Sequence, residues 1–230
     1  MAQTLQTVDR GYVGEVGSVD QRNKVLRNTY WLLALSMLPT VLGAWVGVTT
    51  GVVATLGVGM SAIVFLGGAF AFMFAIEKTK NSAAGVPVLL AFTFFMGLML
   101  SRMLSFVLGL SNGPGLIMMA FAGTGLVFFG MALLSSIIKR DLSTMGKFLF
   151  IGAILVLVAS IANIWLQSAT LMITLSVLVI GIFSAFIIYD LQRVKNGQET
   201  NYITATLGVY LSVYNVFSAL LSIFGLTSRE

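Results

Sequence analysis

The chain has 230 residues, 58% of them hydrophobic and 9% charged, with a mean hydropathy of +0.99. A water-soluble domain of that composition would aggregate, so the chain reads as a polytopic protein of the lipid bilayer. Its formal net charge of +5 is spread over short loops with no aromatic-interleaved basic patch, which excludes nucleic acid as a partner. Cysteine and histidine are both absent, which excludes disulfides, thiolate metal sites, zinc sites of the HExxH type and a serine–histidine pair.

Residues 1–24 are polar, contain three glycines and show no sustained period. They read as a flexible tail preceding a seven-helix domain over residues 25–230. The tail lacks the brief apolar core and small-residue cleavage site of a signal peptide. Crossing the hydrocarbon layer takes about 20 apolar residues, and seven such lengths follow: 28–48, 52–76, 84–108, 115–138, 148–167, 170–190 and 205–226. The first two are joined by residues 47–51, the third and fourth by 111–115, and the fifth and sixth by 167–169, all without charge. The alternate connections carry Glu77, Lys78 and Lys80, then Lys139, Arg140, Asp141 and Lys147, then Arg193 and Lys195. Eleven of the thirteen Lys and Arg residues fall on the tail's side, Arg229 alone on the other, and Arg102 inside a span. The positive-inside rule then places the N-terminus in the cytoplasm and the C-terminus outside.

Two packing signals stand out. Gly43, Gly47 and Gly51 recur every four residues at the end of the first span, allowing close backbone approach. On the last span Ala205, Gly208, Ser212, Asn215, Ala219 and Ser222 form a stripe of small and polar groups, with Tyr210, Tyr214 and Phe217 on other faces. That stripe predicts a last helix enclosed by its neighbours.

The spans hold few groups able to do chemistry. No lysine lies within one, and there is no paired intramembrane aspartate for an aspartyl protease. Pairs such as Gly57 and Gly59 sit in apolar helix rather than after a strand, so they are not phosphate loops. No catalytic, metal or cofactor site is expected, and the protein is not expected to be an enzyme. Asp190 closes the sixth span, and an acid at a membrane helix end marks a functional site. Two readings of it stand: a hydrated helix-end acid paired with Arg193 at i+3, or a gate or ion ligand bonded to Ser212 or Asn215. Arg102 likewise either snorkels to the outer surface or turns inward against Ser160, Asn163 and Gln167, which recur at helix spacing at the outer end of the fifth span.

Five stretches carry a resemblance. Residues 24–30 (KVLRNTY), 123–129 (GTGLVFF), 162–167 (ANIWLQ), 199–203 (ETNYI) and 214–217 (YNVF) are similar to the Bax inhibitor-1 family, from about residue 24 to the end. The resemblance implies a seven-helix inner-membrane fold with two layers of three helices around the seventh. For a bacterial branch it implies binding to the membrane-anchored AAA protease FtsH and restraint of its action on membrane proteins. For other members it implies a pH-sensitive calcium leak tied to two aspartates. The first of these matches Asp190 and the second falls on Ser212, which cannot ionise near neutrality. Two close carboxylates hold a proton between them by mutual repulsion, whereas one acid has only burial to do so. Modulation of FtsH therefore ranks above the calcium leak.

Overall fold

The computed structural model describes residues 2–138, 142 and 144–228, and side chains from Val19 onward. Lys139, Arg140, Asp141 and Arg229, which enter the charge count above, lie outside the described residues. Among the described residues eight helices follow in order: α1 (Ala2–Thr50), α2 (Val52–Thr55), α3 (Gly57–Thr79), α4 (Gly85–Leu108), α5 (Gly113–Ile137), α6 (Met145–Leu166), α7 (Ala169–Lys195) and α8 (Tyr202–Thr227). No strand occurs among the described residues. Among the described residues seven helices are long and apolar enough to cross a membrane, the first by its Val19–Thr50 portion and the others being α3 to α8.

The boundaries differ from the hydropathy windows for local reasons. Residues 2–24, read from composition as a tail without period, continue α1 as helix; adding residues to an existing helix is far cheaper than nucleating one. Residues 47–50 also remain in α1, and the chain turns at Gly51, whose φ of 67° suits glycine. A second left-handed glycine, Gly57 with φ 70°, divides the 52–76 window into the four residues of α2 and the span α3. Pro114 stands in the first turn of α5, where its missing N–H costs nothing. At the α6–α7 turn Gln167 itself takes φ 50°. Asn163 braces that turn, donating from Nδ2 to the Ser168 carbonyl at 3.2 Å and accepting from the Ser168 N–H at 3.1 Å.

Helix association comes from close backbone approach and from interhelical hydrogen bonds, because lipid tails are as apolar as leucine. The α1–α4 seam shows the first. A β-carbon on Gly97 would strike the Thr40 carbonyl, one on Gly43 the Phe94 carbonyl, and one on Gly47 the Ser101 side chain. Of the predicted Gly43, Gly47 and Gly51 series, the first two thus lie in the seam, while Gly51 forms the turn with open space beside it.

α8 shows the second. It packs against α1, α3, α4, α5 and α7. Ala205, Ser212, Ala219 and Ser222 of the small-residue stripe are buried. So is Tyr210 on another face, whose hydroxyl lies 2.8 Å from Thr40 Oγ1 on α1 and 3.4 Å from the Thr93 carbonyl on α4. Tyr214 donates to the Met96 carbonyl of α4 at 3.3 Å. α8 is therefore buried on more faces than the stripe alone required. α6 is the opposite case, with Val156 its single buried residue and Phe148, Leu155 and Trp165 exposed.

Candidate functional site

The polar groups concentrate where α7 ends and α8 begins. The end of the bundle that holds this junction also holds the α3–α4 loop, with its lysines, and is called the basic end below. α7 continues past Asp190 to Lys195, so Asp190 lies inside the helix rather than closing it. α8 starts at Tyr202, three residues before its hydropathy window, which brings Gly208 level with Asp190. A β-carbon on Gly208 would come within 2.8 Å of Asp190 Oδ2 and 3.3 Å of Oδ1. The carboxylate rests against bare backbone of α8, partly buried.

Neither sequence-based reading of Asp190 describes these contacts. Arg193 does not pair with it; its guanidinium lies 3.6 Å from Glu199 Oε2 and over the Tyr189 ring, 5.7 Å from the centroid. Ser212 donates to the Gly208 carbonyl at 3.1 Å, and Asn215 donates to the Leu211 carbonyl at 2.8 Å, both within α8. Among the described residues Asp190 makes no hydrogen bond and no ion pair. The structure therefore brings Asp190 to Gly208, with Ser212 one turn further along, and sends Arg193 elsewhere. A carboxylate without donors at a helix interface can take up a proton or accept from an incoming group.

A network that sequence reasoning did not assign lies at the same end of the bundle. Asn201 caps α8, its Oδ1 accepting from the Ile203 and Thr204 N–H groups at 2.9 and 3.2 Å. Its Nδ2 donates to the Lys80 carbonyl at 3.1 Å and to Asn81 Oδ1 at 2.9 Å, tying the α3–α4 loop to the start of α8. Glu199 Oε1 accepts from the Asn201 N–H at 2.9 Å. On the other side Lys195 Nζ reaches Ser135 and Ser136 Oγ at 2.9 and 2.7 Å, and Gln192 Nε2 donates to the Ile138 carbonyl at 2.9 Å, fixing α7 to the end of α5. The asparagine just ahead of a helix was a readable cap signal. The Lys195–Ser135 link joins residues far apart in the chain and leaves no local trace.

The polar group expected around Arg102 is dispersed. Arg102 Nη1 lies 3.4 Å from Ser61 Oγ on α3, Asn163 is engaged in its own turn, and Ser160 and Gln167 are exposed. α6, which carries Ser160 and Asn163, packs on α7. Among the described residues no group of three or more carboxylate, histidine or cysteine side chains could hold a metal ion.

Comparison with known proteins adds the family context. The family described as "Inhibitor of apoptosis-promoting Bax1" matches residues 22–229. An uncharacterized membrane protein of Vibrio cholerae is 38% identical over 214 residues, covering 91% of this chain and 92% of its own. The protein of Escherichia coli K12 named "Modulator of FtsH protease YccA" is 38% identical over 208 residues, 90% of this chain and 92% of its own. An uncharacterized protein of Pseudomonas aeruginosa is 37% identical over 206 residues, 90% of each chain.

Proposed function

The chain belongs to the Bax inhibitor-1 family, and from that premise we propose that it is an integral inner-membrane modulator that binds an FtsH-type AAA protease and restrains its degradation of membrane proteins. The observation that carries this reading is the 38% identity, over 90% of the chain, to the protein named as a modulator of FtsH protease. The reading is non-enzymatic, in keeping with a chain that has neither histidine nor cysteine.

Three finer statements belong to it. Six spans form two layers of three around α8, a placement supported by the five helices against which α8 packs. The basic end faces the cytoplasm and the C-terminus the periplasm, supported by the distribution of Lys and Arg. The segment 2–24, a helical extension of α1, lies on the protease's side of the membrane, within its reach.

Co-purification of the intact protein with FtsH from native membranes tests the premise. A stable complex is expected, and removal of residues 2–20 should alter FtsH's handling of the protein while the remaining bundle keeps its melting behaviour. Clean absence of the complex with folded protein present rejects the reading.

One observation favours a second reading, a pH-sensitive calcium leak: Asp190 lies at the α7–α8 interface without hydrogen bond or ion pair among the described residues. Ser212 stands where the resemblance implies a second acid, which ranks the leak below modulation. Calcium flux into proteoliposomes across pH, with Asp190→Asn alongside, decides it, and no flux at any pH removes it.

A further inference from the structure

One face of α1 is largely exposed among the described residues and is built in two chemically distinct parts. At the basic end Asn23, Leu26, Arg27, Tyr30 and Trp31 line a shallow hollow of about 420 Å³. Their spacing of three and four places them on one side of the helix. Leu26 and Tyr30 form its inner wall, both partly buried against the core, with the Tyr30 ring edge-on to Phe128 of α5 at 6.3 Å. Arg27 and Trp31 form its outer rim; Arg27 is exposed and Trp31 is 73% exposed. Lys24 stands one turn before Arg27 on the same side, also exposed. Among the described residues neither cation makes a hydrogen bond or an ion pair.

Below the rim the same stripe turns wholly apolar. Ala34, Leu38, Val41, Leu42 and Trp45 follow at helix spacing and all are exposed. Ala34, the small exposed residue between Trp31 and Leu38, continues the stripe below the hollow. Two unpaired cations, an indole at the level where the span begins, and an exposed apolar stripe below them match, in that order, an anionic headgroup, a glycerol backbone and an acyl chain. Aromatic rings favour the headgroup level of a bilayer, and each cation at the membrane surface favours an anionic lipid by about fivefold.

We infer that this face of α1 is a binding site for one anionic phospholipid of the leaflet at the basic end, its phosphate held by Arg27 and Lys24 and one acyl chain lying over Ala34. The occupant is a lipid rather than a second copy of the chain, because the upper half of the stripe is cationic and two copies would bring like charges together. The site is independent of Asp190 and of any protease.

Native mass spectrometry of the full chain, released from mixed micelles with phosphatidylglycerol and phosphatidylcholine of identical acyl chains, tests it. The wild type should retain one phosphatidylglycerol in preference to phosphatidylcholine by about fivefold or more. Arg27→Gln should lower that preference about fivefold, Lys24→Gln should act in the same direction, and Trp31→Ala should weaken retention of both lipids. Lys147→Gln removes an exposed cation elsewhere and should leave the preference unchanged. Equal retention of the two lipids, an equal loss in Lys147→Gln, or a lipid-free dimer that Trp31→Ala dissociates would each overturn the inference. All four variants alter exposed side chains, and unchanged melting temperatures show that they remain folded.

Discussion

Gln167 holds the one positive φ outside glycine among the described residues. A β-carbon in the left-handed region costs roughly 1 kcal/mol, so Gln167→Gly should raise the denaturation midpoint in mild detergent, and an unchanged or lowered midpoint would contradict that strain. Asn163 offsets the cost by bridging Ser168 in both directions, which explains its use at a place where sequence spacing suggested a partner for Arg102. Asn201 is the corresponding residue at the basic end. Asn201→Ala loses the α8 cap, worth about 1 kcal/mol, together with both bonds to the α3–α4 loop. Asn201→Asp keeps the cap alone, so the midpoints should fall in the order wild type, Asp, Ala. Equal destabilisation by the two would mean that the loop bonds dominate. The cap was legible as an asparagine ahead of Tyr202; the bonds to Lys80 and Asn81 were not, because that loop lies 120 residues away.

At the scale of the helix the α1–α4 seam is the tightest contact. Gly43 and Gly47 could be read from their spacing, but the fit of Gly97 against Thr40 emerges only when the two helices cross. Gly97→Val should destabilise the bundle at the upper end of about 1 to 3 kcal/mol, the usual cost of overpacking. Gly125→Val, where an added β-carbon meets nothing within 4 Å, should be close to neutral. Thermal melts of the pair in detergent measure this, and similar losses in both would show that helix propensity rather than the seam is responsible. The reach of α7 past Asp190 was hidden from hydropathy, because its last turn, Leu191–Lys195, is polar where it meets α5. Buried Leu191 and Val194 hold that turn in the fold.

For the whole molecule, the proposed sidedness rests on where the basic loops lie. The chain has no native cysteine, so a single introduced one reports its own location. Asn112→Cys in the α4–α5 turn should react with a membrane-impermeant maleimide added outside intact cells. Asn81→Cys, at the opposite end, should react only after permeabilisation. Labelling of Asn81→Cys in intact cells would invert the proposed orientation. The same frame governs the two polar regions: Arg102 and Asp190 belong to opposite ends, and each finds its neighbours on an adjacent helix at its own end.

Seven segments long and apolar enough to cross a bilayer, and the small residues along one face of α8, are legible in the order of residues alone. Both follow from a solvent that rewards continuous apolar length and drives association through close-packed small groups. The pairings emerge on folding: Arg193 with Glu199, Arg102 with Ser61, Asp190 against Gly208, and Lys195 with the serines of α5. The reason is physical. Lipid tails accept every face of an apolar helix equally, so composition leaves its rotation and its neighbours open. These are settled when a few polar groups find one another across the bundle.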